Sequence, residues 1–274
     1  MSDKLACVIG DPIEHSKSPL IHNYLLKSNK IDGHYERIAV TYSQLKNFCQ
    51  FAKEKYCGFN VTIPHKETIM QYCDSLTDAA KKIGAVNTVK INNNQLIGDN
   101  TDGCGFIKNI SFNHPEFNLK NKNVIILGAG GATRAIIYAL LSQNVQKITI
   151  VNRTIKKGQI IADDFNDQKI KIENWQQKEQ FFNDCDLLVN TTSLGMTKQP
   201  DLKINLENLP KNSLIYDIVY NPLITNLLKQ AQGKNLKIIT GIGMLIFQAI
   251  PAFEQFFQVK NCQYDFNHLQ KILT

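Results

Sequence analysis

Residues 11–20 read Asp-Pro-Ile-Glu-His-Ser-Lys-Ser-Pro-Leu and set two hydroxyls, Ser16 and Ser18, between two prolines. Pro12 and Pro19 each lack a backbone donor and fix the local chain path. A loop of this kind can present two neutral hydroxyls to a polyhydroxylated small molecule. The alternative is that Ser18 merely N-caps a helix opening at Pro19. A second set lies in Gly58-Phe59-Asn60-Val61-Thr62-Ile63-Pro64-His65-Lys66-Glu67. Asn60 and Thr62 share one face of a strand, because strand side chains alternate. The spacing predicts Lys66 in the first turn of a helix that follows Pro64. The positive end of a helix dipole disfavours an ammonium there, so its pKa should fall, which suits proton transfer near neutral pH. The competing outcome is a solvent-facing lysine. Asp102, in Gly98-Asp99-Asn100-Thr101-Asp102-Gly103, could pair with a lysine across a cleft, or could N-cap a helix beginning at Gly103. Asn87 and Gln248 are amides in apolar surroundings, and buried amides need partners.

A different chemistry is written into Gly128-Ala129-Gly130-Gly131-Ala132-Thr133, between an apolar strand and a helix. Glycines there allow a tight turn and let backbone approach a pyrophosphate, which the helix N-terminus attracts. The third fingerprint position is Thr133 instead of Gly or Ala. After the next strand come Asn152, Arg153 and Thr154, where NAD enzymes usually place a carboxylate for the ribose 2′-OH. A neutral amide followed by arginine attracts a 2′-phosphate instead, with Lys156 and Lys157 adding charge, so NADP(H) is expected. Thr154 can also cap the following helix. Only three arginines exist, and two of them, Arg134 and Arg153, fall in this segment; Arg134 could equally be an exposed helix arginine.

Positioning these groups requires an α/β chain. Strand signals at Leu5–Ile9, Tyr35–Val40 and Phe59–Ile63 alternate with helix signals at Pro19–Ser28, Tyr42–Lys55, Pro64–Tyr72 and Thr77–Ile83. Val86–Ile91 and Gln95–Gly98 flank Asn92-Asn93-Asn94 and predict a hairpin, hence an antiparallel element. A helix at Gly103–Ile110 marks the domain boundary. Beyond it, strands at Val124–Leu127, Lys147–Val151, Leu187–Asn190, Leu214–Ile218 and Lys237–Ile239, with helices between some of them, make a doubly wound pattern. A last helix runs from about Ile242 to about Phe257, and fold analogy returns it to the first domain. The expected fold is therefore α/β in two domains. Residues 1–103 and 241–274 form a mainly parallel sheet domain with an antiparallel strand, and residues 104–240 form a Rossmann-type dinucleotide-binding domain.

The bulk numbers narrow the class. The chain has 274 residues, 43% of them hydrophobic, and a net charge of +7. No apolar run of membrane-spanning length occurs, and no basic-aromatic patch favours nucleic acid. Met-Ser-Asp-Lys opens the chain without a leader's apolar core. Seven scattered cysteines, with no C-x-x-C pair, read as free thiols, so the expected location is the cytoplasm and no metal is called for.

Together these segments resemble the shikimate dehydrogenase family. The matching stretches are Ile13 to Pro19, Asn60 to Lys66, Gly84 to Thr88, Asn100 to Gly103, Gly128 to Gly131, Asn152 to Thr154, Tyr216 to Tyr220, and Gly243 to Leu245 with Gln248, in the family's order. The resemblance implies reversible, NADPH-dependent reduction of 3-dehydroshikimate to shikimate, a step of aromatic amino-acid biosynthesis. It implies Lys66 and Asp102 as the catalytic pair, with Ser16, Ser18, Asn60, Thr62, Asn87, Tyr220 and Gln248 at the substrate. It places the cofactor against Gly128, Ala129, Gly130, Gly131 and Ala132, against Asn152, Arg153, Thr154 and Lys157, and against Thr191, Val219, Gly241 and Met244. Pro251 departs from a straight helix and should kink it near Gln248. The partners expected are a small-molecule substrate, with neither nucleic acid nor membrane, and a homodimer is left open. The rival readings are a quinate/shikimate dehydrogenase with relaxed cofactor use, and a non-catalytic NADP-binding sensor. A folate dehydrogenase or tRNA-linked reductase does not explain the Ser16/Ser18 loop.

Overall fold

The apolar run at the start of the chain becomes an interior strand, β1 (Lys4–Gly10), whose last five residues are buried. The computed structural model describes residues 4–274; Met1, Ser2 and Asp3, where the absence of a leader was read, lie outside the described residues. The chain divides into two units, one comprising the residues up to Gly105 with Leu245–Thr274, the other Phe106–Met244. The sequence boundary was set at 103/104 and 240/241; the division falls inside two helices, a few residues further on.

In the first unit, α1 (Ser18–Ser28), β2 (Gly33–Ala39), α2 (Leu45–Lys55), β3 (Gly58–Val61), β4 (Ser75–Leu76), α3 (Asp78–Ile83), β5 (Thr88–Asn92) and β6 (Gln95–Asp99) follow β1. The sheet order is β2-β1-β3-β5-β6-β4. β2, β1 and β3 are parallel, while β5 runs antiparallel to both β3 and β6. The hairpin turn uses Asn93 and Asn94 at φ 48° and 61°, the left-handed geometry that matches strand twist. Cys7, Ile9, Phe59, Val61 and Val89 pack one face of this sheet against α2 residues Leu45, Phe48 and Ala52.

The chain passes between units in α4 (Asp102–Asn113) and again in α8 (Gly241–Phe257). The second unit holds β7 (Asn123–Leu127), α5 (Gly131–Ser142), β8 (Lys147–Asn152), α6 (Ile155–Phe165), β9 (Ile170–Asn174), β10 (Leu187–Asn190), β11 (Leu214–Asp217), α7 (Asn226–Gly233) and β12 (Lys237–Ile239). All six strands are parallel, in the order β12-β11-β10-β7-β8-β9. That is the strand order of a dinucleotide-binding sheet, with the reversal between β7 and β10. A last helix, α9 (Phe266–Leu273), follows α8. Among the described residues, no helix is long and apolar enough to cross a membrane.

One expected helix changes, and several elements carry no signal that the sequence reading used. The helix expected at Pro64–Tyr72 is a pair of turns and a short 3-10 helix, Thr68–Tyr72. Proline keeps Ile63 out of helical geometry, and the remaining stretch is too short and uncapped to propagate an α-helix. β9 was missed, although Ile170 and Ile172 alternate with Lys171 and Glu173; as an edge strand it is only half-buried. The polar run Trp175–Asp184, also missed, is 3-10 helix. The missed α9 carries its apolar stripe on Leu269 and Leu273, capped by Asp265. Pro251 lies inside α8, which continues past it to Phe257.

Candidate active site

β1 and β3 are adjacent and parallel, so the segments leaving their carboxyl ends are neighbours. Asp11 N–H donates to the Ile63 carbonyl, and Thr62 N–H donates to the Ile9 carbonyl. One of these segments is the serine loop, the other the Thr62–Lys66 turn. Ser18 is the first residue of α1, the N-cap position is Lys17, and the Ser18 N–H donates to Ser16 Oγ at 3.4 Å. The capping role weighed for Ser18 is therefore not realised; its Oγ instead accepts from Ser16 Oγ at 3.3 Å. Arg37 Nε donates to the Ser16 carbonyl at 2.9 Å, and Lys17 Nζ donates to the Leu273 carbonyl. The third arginine, which carried no motif, thus fixes the serine loop, and so does the helix that sequence reading missed.

Lys66 lies in a turn, not in the first turn of an α-helix. The dipole argument loses its basis, and the charge that bears on Lys66 is Asp102, 2.5 Å from Nζ to Oδ2. The lysine is held by its backbone, whose carbonyl accepts from Val86 N–H at 2.7 Å. Its neighbour His65 is buried, with Nε2 2.5 Å from the Val40 carbonyl. Asp102 does not cap α4 either. Its own N–H donates to Asn100 Oδ1, and the first helical bond runs from Gly105 N–H to the Thr101 carbonyl. With the cap supplied by Asn100 and Thr101, the Asp102 carboxylate is left to face Lys66 and Asn87.

Asn87 is the hub of this unit's polar network. Its Nδ2 reaches Asp102 Oδ1 at 2.8 Å, Thr101 Oγ1 at 3.1 Å and Gln248 Oε1 at 3.3 Å. An amide nitrogen has two protons, so the longest of the three contacts is the one an incoming oxygen can displace. Asn87 Oδ1 accepts from Thr88 Oγ1 and from Thr101 N–H. Gln248 Nε2 donates to the Leu245 carbonyl, which leaves its oxygen aimed at Asn87 despite Pro251. Asn60 donates from Nδ2 to the Asn87 carbonyl and Thr88 Oγ1, and accepts from the Tyr35 hydroxyl at 2.7 Å. Both amide protons are used, so toward a ligand Asn60 can only accept. Tyr35 stacks on His22, centroids 4.0 Å apart, and burial pushes the His22 imidazole down to about 3. His22 is therefore a neutral aromatic spacer. Thr88, Asn100 and Thr101 stand in the matched stretches and Tyr35 in a predicted strand, but the sequence assigns none of them a role, since isolated hydroxyls and amides carry no spacing signal.

In the second unit the glycine turn joins β7 to α5. Gly128 has φ +113°, a region L side chains rarely adopt, and a Cβ there would sit 2.7 Å from Thr191 Oγ1. Thr133 Oγ1 accepts from Gly130 N–H and bonds Thr191 Oγ1 at 2.8 Å, while Thr191 donates to the Leu127 carbonyl. So the threonine at the third fingerprint position braces the turn. A Cβ at Gly130 would meet nothing within 4 Å. The protein leaves open space beside that backbone at a helix N-terminus, where a pyrophosphate fits. Arg153 and Thr154 are exposed just past the end of β8, and Lys157 is exposed in the first turn of α6. Thr154 holds the N-cap position of α6 without a capping side-chain bond, while Asn152 Nδ2 donates to the Thr154 carbonyl. Asn152, Arg153 and Thr154 offer an amide, a guanidinium and a hydroxyl, groups that suit a 2′-phosphate. Arg134 is not the exposed helix arginine considered above: it is buried and ion-paired with Asp164. Ala129 and Ala132 flank the turn, and Gly241 packs so tightly on the Ile218 and Val219 backbone that a Cβ would collide with it. Met244 is buried in this unit's core. Burial pushes the Tyr220 phenol up, so it stays a protonated hydroxyl at neutral pH. The substrate set other than Tyr220 lies in the first unit, and Tyr220 lies in the second with the cofactor set.

The strongest buried charge of the second unit is Asp217, fully buried at the end of β11. Burial raises its carboxyl from 3.8 to about 6, against hydrogen bonds from Thr225, Val219 and Asn190 that lower it. Below the unfolded value both states are protonated. Between that value and the folded one the folded chain holds the extra proton, so stability falls as pH rises. Above about pH 6 the full cost, on the order of 3 kcal/mol, is present. Asp217→Asn should flatten this part of the pH profile. Melting temperatures of both proteins between about pH 4 and pH 7 check it; parallel profiles contradict it.

Comparison with known proteins bears on both units. A family model described as the shikimate dehydrogenase substrate binding domain matches residues 8–89, and one described as shikimate / quinate 5-dehydrogenase matches residues 111–240. The chain is 41% identical over 255 residues to the shikimate dehydrogenase (NADP(+)) of Ruegeria sp. (strain TM1040), covering 92% of each. Its structure is similar to that of shikimate 5-dehydrogenase from Thermus thermophilus in complex with NADP(H) and shikimate. The TM-score is 0.87, with 30% identity and 98% of each chain covered. It is similar also to quinate dehydrogenase from Corynebacterium glutamicum in complex with NAD, TM-score 0.89, with 28% identity and 98% of each chain covered.

Proposed function

Because the chain belongs to the shikimate dehydrogenase family, we propose that it catalyses the reversible NADP-dependent interconversion of shikimate and 3-dehydroshikimate, with Lys66 and Asp102 as its proton-transfer pair. The observation that carries the reading is the half-buried Lys66–Asp102 contact, set among hydroxyls and amides in one unit. Bound NADPH supplies the hydride. As the substrate ketone is reduced, its oxygen gains negative charge, and the Lys66 ammonium stabilises that charge and donates a proton to it. In the oxidative direction the neutral amine takes the hydroxyl proton. Asp102 orients Lys66 through Oδ2 and, still holding Asn87 through Oδ1, has lone pairs left for a substrate hydroxyl. Ser16 and Ser18 take the substrate carboxylate, Thr62 and Tyr220 offer hydroxyls, and Asn60, Asn87 and Gln248 complete the hydroxyl contacts. Gly128 to Ala132 cradle the pyrophosphate. Asn152, Arg153, Thr154 and Lys157 take the 2′-phosphate, and Thr191, Val219, Gly241 and Met244 line the rest of the cofactor. A small-molecule reaction of this kind needs neither membrane nor nucleic acid, and seven cysteines without a pairing pattern fit a cytoplasmic enzyme.

Tyr35→Phe keeps the stack on His22 and removes only the hydroxyl that holds Asn60. It should cost about 1–2 kcal/mol and raise the KM for shikimate several-fold, with kcat less affected. Urea unfolding and steady-state kinetics read both effects, and an unchanged KM removes Asn60 from the substrate contacts. The function itself is tested by mixing purified chain, 3-dehydroshikimate and NADPH, and identifying shikimate as the product. Loss of NADPH without shikimate formed, or no loss at all, contradicts the proposal.

A quinate/shikimate dehydrogenase using NAD is the second reading, since a quinate dehydrogenase crystallised with NAD shares the fold. Arg153 without a carboxylate at position 152 favours NADP, and the paired serines favour the smaller acid.

A further inference from the structure

Three donors converge on Asp217. Asn190 Nδ2 donates to Oδ1 at 2.9 Å, Val219 N–H donates to Oδ1 at 3.0 Å, and Thr225 Oγ1 donates to Oδ2 at 2.7 Å. No Lys, Arg or His pairs with this carboxylate among the described residues. Burying it is costly, and a strand end that needed only stability could bury an apolar side chain instead. What the site requires is a group that only accepts. Asparagine offers a single oxygen and would turn an amide against one of the donors.

The three donors belong to three segments. Asn190 ends β10, pairs in register with Asp217, and accepts through Oδ1 from Thr192 N–H and Thr192 Oγ1. Its Nδ2 also reaches the Leu194 carbonyl. Thr225 is the N-cap of α7 and accepts from Leu228 N–H. Val219 lies two residues past the end of β11 and precedes Tyr220. Thr191, between Asn190 and Thr192, is the residue that braces the glycine turn through Thr133. All of this lies at the carboxyl ends of β7, β10 and β11, where open α/β sheets receive ligands.

We propose that Asp217 is a positioning residue, which through Asn190 and the Val219 amide sets the two segments carrying Thr191, Val219 and Tyr220 against the bound cofactor. The proposal rests on the NADP-dependent reading above. The residue touches neither cofactor nor substrate. It acts by fixing backbone whose displacement by about 1 Å is enough to lower the rate up to a hundredfold.

The test uses the full chain with Asp217→Asn, Thr225→Val and Thr225→Ser. Hydrogen exchange is measured without cofactor. In Asp217→Asn and Thr225→Val, exchange should rise in segments 191–194 and 218–221 while β7 and β8 stay protected. Thr225→Ser should restore the wild-type pattern. Kinetics per cofactor-binding site should show kcat with shikimate down roughly tenfold or more in Asp217→Asn. The NADP⁺ Kd should stay within about threefold, because Gly130 and Arg153 are untouched. A merely structural role lowers the melting temperature and the active fraction but leaves kcat per site unchanged. If Asp217→Asn does not fold, Thr225→Val carries the same comparison. Unchanged exchange in 218–221, or unchanged kcat per site beside an active wild type, overturns the proposal. A wild type without shikimate turnover overturns the functional reading instead, and the exchange pattern still decides the role of Asp217.

Discussion

Lys66→Arg is expected to lower kcat for shikimate oxidation on the order of 10³-fold while the NADP⁺ affinity stays at the wild-type value. Arginine keeps a positive charge beside Asp102, so the ion pair and the surrounding fold persist. It cannot give up its proton near neutral pH, so the acid–base step is what is lost. Lys66→Met removes the charge as well and strands a carboxylate whose side chain is 9% exposed. That variant should lose both activity and stability. The comparison separates proton transfer from charge pairing. Steady-state assays with cofactor titration read it, and Lys66→Arg retaining a tenth or more of wild-type kcat would remove proton transfer from the role of Lys66.

The second large effect belongs to Arg153. It is exposed, next to a neutral amide, and has no ion pair among the described residues. Arg153→Ala should raise the KM for NADP⁺ roughly thirtyfold, equivalent to about 2 kcal/mol for a lost charge-assisted contact, and leave the KM for NAD⁺ nearly unchanged. Because the contact faces water, added salt should shrink the difference between wild type and variant. Equal loss with both cofactors contradicts assignment of Arg153 to the 2′-phosphate.

The parts that were legible in the sequence share a physical cause. Strands buried on both faces read as continuous apolar runs, so Leu5–Ile9 and Val124–Leu127 were plain. The turns at Asn93-Asn94 and Gly128 need left-handed backbone, which only a few residue types supply. The edge strand β9 and the 3-10 stretch after it are half-solvated, so burial writes little pattern into them. At the site, residue types and spacing named the groups but not their surroundings. For Lys66 the helix dipole expected after Pro64 is absent, because the residue lies in a turn, while the pairing expected for Asp102 is present, across 36 residues of chain. Thr101, Thr88 and Asn100 stood in matched stretches without a role, because that role, freeing Asp102 and orienting Asn87, exists only once β5, β6 and α4 are assembled. Asp217 stood within a matched stretch, yet no role could be read for it until Asn190 and Thr225 were seen to converge on it.

The most direct measurement is nicotinamide absorbance with purified chain in four mixtures: shikimate or quinate, each with NADP⁺ or NAD⁺. The account predicts rapid reduction with shikimate and NADP⁺, and rates far lower in the other three. Comparable reduction with NAD⁺ or quinate contradicts the assignment of Arg153 and of the serine loop. No reduction in any mixture, with NADP⁺ still bound, contradicts catalysis by Lys66 and Asp102 altogether.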